Sequence, residues 1–495
     1  MTPQTWGVLL IVLSLWAVAW QQRSATKRQL ILLLASYLFY LTWGIGFLFV
    51  LILSSLINYF LGSLLRHRPN VARLWLGIAF NLLLLCFFKY LPPLLETGAV
   101  NEAQASVFAQ IVMPVGISFW TFQALSYLFD IYRDEEINPS LLEYCLYMAF
   151  WPTVLSGPVC RLPEMLPQFR QAFDFNSADM AVGLRRVIQG IIMKFAFAEL
   201  LLNGVSAGGG IAHQFDYSPG GWGGLDVLIL ATGFGLQLFF DFAGYSHIMI
   251  GISRLFGIRL EENFARPFLA TNPSVFWTRW HMSLSSWIRD YVFLPLARMR
   301  PQRWWTYGTL IISMTLFGLW HAATVTFVLW GAYHGSLLVL HRLAQQVARS
   351  RSVSFSLPRY LGVTLSWSCT FISISLGWIL FRATDLSQAA AMFRSIFSPA
   401  SYANLTLPLS LYVLTTALFC GYLISTLLSS VVSNLRTRSS ESNGTLNELA
   451  LQIADVAEAK VWWWLVPSSF VLILVGIIVT VGIPVTGARF AYTLF

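Results

Sequence analysis

The sequence predicts an all-α integral membrane protein that crosses the bilayer many times. Hydrophobic residues make up 57% of the 495 residues, and charged residues only 11%, whereas a soluble domain usually carries roughly 25%. The apolar residues also occur in long blocks, among them residues 6–20, 30–43, 227–240 and 461–481. Because a helix needs about 20 apolar residues to cross a bilayer, we expect about ten to twelve membrane helices, some of them short.

The first apolar block is interpreted as a retained membrane helix and not as a cleaved signal peptide. Residues 1–5 carry no positive charge, whereas Arg23, Lys27 and Arg28 follow the block, which reverses the order of a signal peptide. Excess basic residues mark cytoplasmic loops, so the C-terminal end of this block is expected to face the cytoplasm. A hairpin of two helices that turns at Trp43-Gly44 would then return the chain to the same side.

Charge and cysteine content exclude two other classes of function. The net charge of +9 is not interpreted as a nucleic-acid site, because basic loops orient a membrane protein and no basic low-complexity tract is present. The five cysteines are far apart and have no metal or redox spacing, so we expect buried small side chains and no metal site.

Two stretches interrupt the apolar pattern of what we interpret as one membrane domain without internal repeats. Residues 261–303 are rich in polar and aromatic side chains. Residues 436–460 combine a Ser/Asn/Gly loop with an amphipathic pattern, which predicts a water-exposed loop followed by an interfacial helix.

The strongest candidate for chemistry is His321, in the segment Gly318-Leu319-Trp320-His321. No charged residue occurs within ten positions on either side of it. Burial in apolar surroundings disfavours the charged imidazolium, so we expect a neutral ring that can accept a proton, as a general base must. A structural histidine bonded to a backbone carbonyl is the alternative, and the residues alone leave both open.

A second candidate, His281, lies in a segment that is too polar to face lipid. Residues 276–291 contain three tryptophans, two arginines and this histidine. Such a stretch favours an interfacial helix or a helix that lines a polar cavity. Its arginines offer forked donors for the phosphate of coenzyme A or of a phosphorylated carrier arm. An aromatic belt with arginines that reach the interface is the alternative.

A third candidate is the carboxylate of Asp241, which interrupts one of the most apolar runs of the chain. Tyr245 follows four positions later, so both side chains share a helical face and could line one cavity wall. Charges inside membranes usually pair, so an ion pair with Arg254 or Arg266 that serves folding alone is equally open.

Several motifs, in order along the chain, resemble the signature of the membrane-bound O-acyltransferases. The resemblance is strongest to the bacterial branch that acts on alginate and teichoic acids. The motifs that carry it are Pro114 to Gln123, Ser156-Gly157-Pro158 with Arg161, Asp241 to Ser246, Glu262-Asn263-Phe264, Phe276 to Tyr291, Gly318 to His321, Trp330 to Gly335, and Gly377 to Arg382.

The resemblance implies a membrane fold with a central funnel or tunnel. It also implies N-terminal membrane helices at 1–110, a catalytic core at 111–385, and C-terminal membrane helices at 386–495 that include the exposed segment 436–460. His321 would deprotonate the acceptor hydroxyl or an intermediate carrier, and His281 would orient or assist. The residues predicted to bind substrate are Trp280, Ser283, Ser285, Arg289, Asp290, Asp241, Tyr245, Gln123 and Trp320.

The same resemblance implies the partners of the reaction. The donor would be a cytoplasmic acyl thioester, either acetyl-CoA or an acyl carrier protein, with no tightly bound cofactor. The acceptor would be a cell-surface or exported polysaccharide, reached through a periplasmic or extracellular acyltransferase partner. We therefore expect a multi-pass protein of the bacterial cytoplasmic (inner) membrane, surrounded by membrane lipid.

Three positions depart from the family pattern. Ala322 and His247 stand where the family usually has glycine and aspartate, and residues 297–300 replace a usual Gly-Gly-Asn-Arg loop. These departures leave the reaction class unchanged and affect the expected substrate. The alternatives to acetyl transfer are D-alanyl transfer to a teichoic acid and transport of a polysaccharide or ion, although transporters often contain repeats that this sequence lacks.

Overall fold

The computed structural model describes residues 14–15, 18–19, 21–94, 112–133, 136–171, 177–204, 209–216, 221–350 and 358–440, with side chains up to residue 427. Within these ranges the regular structure is helical, without strands, which confirms the predicted all-α class. The apolar block 461–481 and most of the block 6–20 lie outside the described residues. The same is true of the predicted interfacial helix, whereas residues 436–440 form the end of a helix.

The helices with described bounds are, in chain order, α1 (Ala25–Leu41), α2 (Ile45–His67), α3 (Val71–Lys89), α4 (Leu91–Leu94), α5 (Ile117–Tyr132), α6 (Leu141–Ala149), α7 (Trp151–Val154), α8 (Leu162–Arg170), α9 (Ser177–Ile191), α10 (Glu199–Asn203), α11 (Ile211–Asp216), α12 (Gly224–Leu255), α13 (Pro273–Trp277), α14 (Met282–Ile288), α15 (Leu294–Arg298), α16 (Arg303–His321), α17 (Val325–Ser350), α18 (Arg359–Arg382), α19 (Leu386–Phe397) and α20 (Leu409–Ser440). Ile192–Ala198 and Arg289–Phe293 are π-helical, and Pro267–Leu269 and Pro399–Ala403 are 3₁₀ turns.

Five of these helices have the length and apolar composition to cross a membrane, when only the described residues are considered: α2, α3, α12, α18 and the part of α20 at Leu409–Leu427. The most apolar window of α12 is 83% buried inside the protein, compared with 28–33% for the other four. Most residues in the apolar window of α12 are therefore buried against protein. Most residues in the windows of the other four helices are not buried. The chain is a multi-pass membrane protein, and the predicted ten to twelve helices stay a prediction.

The chain divides into two compact units, each assembled from separated stretches. Unit 1 comprises Met1–Gly190, Tyr245–Phe264 and His281–Thr309, and unit 2 comprises Ile191–Gly244, Ala265–Trp280 and Leu310–Phe495. The predicted three-part division at residues 110 and 385 is a division by sequence, and it stays a prediction.

Unit 1 is built around α5, on which both α2 and α3 pack. Gly62 and Gly77 make this close approach possible, because a Cβ at either position would overlap Tyr127 or Leu128 of α5. Helices α1 and α2 form the predicted hairpin, with the turn at residues 42–44. Such packing through small residues is typical of membrane helices, where lipid removes the usual hydrophobic drive for association.

Unit 2 contains a helical hairpin in which the end of α16 packs against the start of α17. A Cβ at Gly318 would overlap the carbonyl oxygen of Phe327, and a Cβ at Gly331 would overlap that of Met314. The two backbones therefore touch where these glycines lie. The apolar run at residues 306–331 is consequently broken at 322–324, and His321 lies at the C-terminal end of a helix.

We expect a Gly331→Leu substitution to destabilise the hairpin severely. Overpacking of a filled core costs about 1–3 kcal/mol, and here the obstacle is backbone, which cannot change rotamer. Thermal unfolding of the detergent-solubilised protein should occur at a lower temperature, with less folded protein recovered. Gly308→Leu, in α16 at a position with no atom within 4 Å of an added Cβ, is the matched control and should behave as wild type. Equal thermal stability of the two variants would contradict the close packing.

Candidate active site

His321 is held in a box of aromatic rings at the C-terminal end of α16, within unit 2. The ring centroids of Trp320, Phe381, Phe317, Trp330 and Phe327 lie 4.5, 4.9, 5.4, 5.5 and 5.6 Å from that of His321. The His321 side chain is buried, as is Trp320. Because the box excludes water, a charge that develops on a substrate there would be screened much less than in solution.

His281 occupies a strained backbone position in unit 1, at the residue before α14. Among the described residues other than glycine, only His281 and Arg266 have a positive φ. The left-handed conformation costs an L-residue roughly 1–2 kcal/mol, and such strain often marks functional sites. The rings of Phe119 and Phe264 lie nearly parallel to the imidazole, with centroids 6.4 and 6.5 Å away.

The His281 imidazole is neutral, and a hydrogen bond holds its orientation. Its Nδ1 lies 3.0 Å from Oδ1 of Asn263. Burial lowers the pKa of His281 to about 3, because the desolvated site disfavours the imidazolium. His281 lies outside the five candidate spans. At neutral pH this ring is therefore an uncharged group that can accept a proton or donate a hydrogen bond.

The serines and charged residues predicted after His281 lie in α14 and the π-helical turn that follows it, also in unit 1. Ser283 is buried and its hydroxyl accepts a hydrogen bond from the Val159 backbone N–H at 3.0 Å. Ser285 is half-buried, and its backbone N–H donates to the carbonyl oxygen of His281 at 2.9 Å. Val159 follows the Ser-Gly-Pro motif directly, so two predicted motifs meet at Ser283.

Asp290 forms the centre of a charged cluster at the end of this segment. Its carboxylate accepts hydrogen bonds from Arg161 at 2.5 Å and Arg289 at 2.7 Å, and Arg133 donates to its backbone carbonyl at 2.9 Å. Although burial raises the pKa of Asp290, the hydrogen bonds from Arg289 and Arg161 lower it overall below the usual value. Part of the positive charge predicted to bind a donor phosphate is therefore already balanced by this carboxylate.

Gln123 retains unused hydrogen-bonding capacity in the interior of unit 1. Its side chain lies in α5 and is 1% exposed. Neither its amide nitrogen nor its amide oxygen has a hydrogen-bond partner within the part of the chain that the structure describes. A buried polar group without a partner costs about 1–3 kcal/mol, so this amide is a reasonable group to contact a polar substrate. Tyr245 is likewise buried, in α12.

Asp241 forms a buried ion pair with Lys194, and both residues belong to unit 2. Of the two arginines that the sequence left open as partners of Asp241, Arg254 is wrong, because it pairs with Asp179. Lys194 lies in the π-helical turn Ile192–Ala198, and its side chain is as deeply buried as that of Asp241. Sequence reasoning missed Lys194, although a lone lysine in the apolar run 191–198 is itself a signal of an intramembrane partner.

Trp280 lies in an aromatic cluster of unit 2. Its ring centroid is 5.0 Å from Trp378, 5.5 Å from Phe276 and 5.9 Å from Phe268. The ring is buried, and these contacts are those of a packed core residue. Its role in substrate binding therefore stays a prediction.

Two further residues of the family motifs were not singled out from the sequence. Asn263 contacts His281, as described above. His334 is fully buried in α17, edge-on to Trp277 and Trp330 with centroids 5.2 and 4.9 Å away. Within the described ranges no group of three or more histidine, cysteine, aspartate or glutamate side chains is arranged to hold a metal ion.

The chain is an O-acyltransferase embedded in a membrane. It belongs to the membrane-bound O-acyltransferase (MBOAT) family, whose pattern matches residues 4–380. It is 35% identical to the "Probable alginate O-acetylase AlgI" of Pseudomonas aeruginosa over 384 residues, which cover 75% of this chain and 70% of the relative. It is 31% identical to the "Peptidoglycan O-acetyltransferase" of Helicobacter pylori over 396 residues, or 74% of this chain and 73% of the relative. The "Teichoic acid D-alanyltransferase" of Bacillus subtilis is 28% identical over 312 residues, or 60% and 73% of the two chains.

We expect Asp241→Asn to destabilise the protein, because it removes the carboxylate that pairs with the buried Lys194 ammonium. Breaking a buried ion pair by removing one partner costs roughly 3–5 kcal/mol. The yield and the thermal unfolding temperature of the detergent-solubilised protein should both fall. The double variant Lys194→Met/Asp241→Leu removes both charges and should recover much of the loss.

The matched control for this experiment is Asp216→Asn, which breaks the ion pair of Asp216 with Arg382. The Asp216 side chain is 52% exposed, so the change should cost only about 0–1 kcal/mol. A single Asp241→Asn variant that unfolds at the wild-type temperature would show that the buried pair contributes nothing to stability.

Proposed function

We propose that this enzyme transfers an acetyl group from a cytoplasmic thioester to hydroxyl groups of a cell-surface or exported polysaccharide, with His321 as the general base. The observation that carries the proposal is the buried imidazole of His321 in its aromatic box. Relatives at 35% and 31% identity support the acetyl group and the polymer, since they are named for O-acetylation of alginate and of peptidoglycan.

The reaction requires only a base and a dry site. The His321 imidazole accepts the proton of the attacking hydroxyl as its oxygen bonds to the thioester carbonyl carbon. The carbon–sulfur bond then breaks, and the leaving thiolate takes the proton back from His321. A positioned base contributes typically ~10²–10⁴ in rate, and the surrounding rings exclude the water that would otherwise hydrolyse the thioester.

His281 and the polar groups near it in unit 1 complete the proposal. His281 orients or assists the reacting groups as a neutral imidazole. The substrates contact Gln123, Tyr245, Ser283 and Ser285 of unit 1. They also contact Asp241, Trp280 and Trp320 of unit 2. Arg289, whose side chain is 60% exposed, binds the phosphate of the donor together with the Asp290 cluster.

The donor, partner and location follow from the same chemistry. The thioester is carried by coenzyme A or by an acyl carrier protein on the cytoplasmic side. Since polymer assembly at the cell surface takes place beyond the membrane, a periplasmic or extracellular acyltransferase completes the transfer. The protein then lies in the bacterial cytoplasmic (inner) membrane. Transfer of D-alanine is the second candidate, supported by the relative that is 28% identical.

We expect His321→Ala to abolish the ester-linked acetyl groups of the surface polysaccharide. In a strain that lacks the chromosomal copy, wild-type protein should restore esters that mild alkali releases as acetate. The variant should restore less than about 1% of them, from the contribution of a general base. Membrane abundance of each variant is measured on the same samples by immunoblot.

His67→Ala is the matched control, because His67 lies at the exposed end of α2. It should restore esters to the wild-type amount. If His321→Ala reaches the membrane normally and acetate release is undiminished, His321 is not the base. If wild-type protein restores esters that release D-alanine instead of acetate, the acetyl assignment is wrong and the D-alanyl alternative is correct.

A further inference from the structure

Asn263 contacts three consecutive residues at the start of α14, all within unit 1. Its backbone carbonyl accepts a hydrogen bond from the Met282 N–H at 2.9 Å. Its side-chain Oδ1 lies 3.0 Å from His281 Nδ1, 3.3 Å from the backbone nitrogen of Ser283 and 3.0 Å from the Ser283 hydroxyl. Asn263 is itself 1% exposed, so these contacts are not shared with bulk water.

The orientation of the Asn263 amide follows from these partners. A backbone N–H can only donate, so the side-chain atom that faces the Ser283 nitrogen must be the oxygen. The Ser283 hydroxyl agrees, because it already accepts from Val159 N–H at 3.0 Å and is free to donate to Asn263. The amide nitrogen then donates to the Ser246 hydroxyl at 3.3 Å. Flipping the amide would place its N–H₂ group against the Ser283 backbone N–H, two donors facing each other, so only the stated orientation satisfies these partners.

The protonation of His281 follows in turn. A carbonyl oxygen cannot donate, so the group that faces it must be an N–H. His281 Nδ1 therefore carries the hydrogen. In a neutral imidazole one nitrogen is protonated and the other holds a lone pair. The basic atom of His281 is consequently Nε2.

The backbone of Asn263 contributes as well. His281 has φ 43°, and a side chain in this conformation is directed differently from one in a regular helix. The hydrogen bond from Met282 N–H to the Asn263 carbonyl fixes the backbone directly after the strained residue. One residue thus fixes the backbone, the ring orientation and the proton position of His281.

We propose that Asn263 is a positioning residue that holds His281 as its Nδ1–H tautomer, so that Nε2 accepts a hydrogen bond or a proton from the substrate hydroxyl. The inference rests on the proposed function, because it assumes that His281 assists acyl transfer. In effect the amide performs the role that a carboxylate performs in catalytic triads, without adding a charge to the buried site.

The decisive variant is Asn263→Asp. A carboxylate keeps the acceptor for His281 Nδ1–H and for Ser283, and Ser246 can donate to its second oxygen, so the geometry should survive. The negative charge favours the imidazolium and raises the pKa of His281. Because only the neutral ring can accept a hydrogen bond at Nε2, raising the pKa of His281 moves the acidic limb of the rate profile to higher pH. The Asn263 amide and the rings of Phe119 and Phe264, which lie beside the wild-type imidazole, carry no charge.

The measurement uses membranes that contain the full-length protein, acetyl-CoA with a radiolabelled acetyl group, and the polysaccharide of the same cells. Label that mild alkali releases from the polymer is followed from pH 5 to pH 9. Asn263→Asp should be active near pH 8 and, with the pKa of His281 raised from about 3 to ~6, lose about tenfold more activity than wild type at pH 5. Asn263→Leu, which has a similar volume but no acceptor, should lower kcat about 10- to 100-fold at every pH, with little change in KM.

Asn404→Asp makes the same chemical change at an exposed residue and should leave the pH profile unchanged. If Asn263→Asp is active with the wild-type profile, or if Asn263→Leu reaches the membrane and keeps the wild-type kcat, the positioning role is overturned. Loss of both Asn263 variants from the membrane would show a folding role and would equally overturn the proposal. Absence of polymer labelling by wild-type protein would count against the proposed function and not against Asn263 specifically.

Discussion

Pairing between buried polar side chains is the constraint on which this fold depends, because a polar group at membrane depth that lacks a partner is costly. In a soluble enzyme, bulk water reaches much of a polar cluster, but a membrane enzyme has little such supply. Three pairings show the consequence: Asn58 and Asn81 exchange hydrogen bonds at 3.1 and 2.7 Å, Lys194 pairs with Asp241, and Asn263 satisfies His281. Each joins residues that are at least 18 positions apart in the sequence. Polar pairing therefore specifies which helices meet, as apolar packing does in a soluble protein.

The same constraint explains how the two histidines differ. His281 is held by a hydrogen bond that fixes its tautomer, and aromatic rings lie beside it. His321 is surrounded by aromatic rings, at the end of a helix whose approach to the next helix depends on Gly318 and Gly331. Rings restrict where an imidazole lies without adding charge, so they keep the site dry, and the desolvation they impose disfavours the protonated ring. Such surroundings would help the proposed base, His321, to release its proton in the same turnover.

Local patterns in the sequence were sufficient for the fold class, the α1–α2 hairpin and the burial of His321. Each of these depends on composition or on neighbours along the chain. Sequence reasoning missed the partners, because tertiary contact determines which residues pair. Nothing in the apolar run around Asp241 distinguishes residue 194 from residue 254 as its partner. It also missed the break after His321, since residues 322–324 contain neither glycine nor proline. The close contact of α16 with α17 ends the helix there, and no local residue signals it.

Placing the base at a helix end has a chemical consequence that a position within a span would not have. The last carbonyl groups of a helix lack intrahelical partners, and the helix dipole places partial negative charge there. Partial negative charge near an imidazole favours its protonated state, so the end of α16 would stabilise the cation that the proposed base, His321, forms when it removes a proton. The aromatic box alone would oppose that cation by desolvation. The two effects act in opposite directions on one ring: the helix end favours the protonated imidazole, and desolvation by the aromatic rings disfavours it.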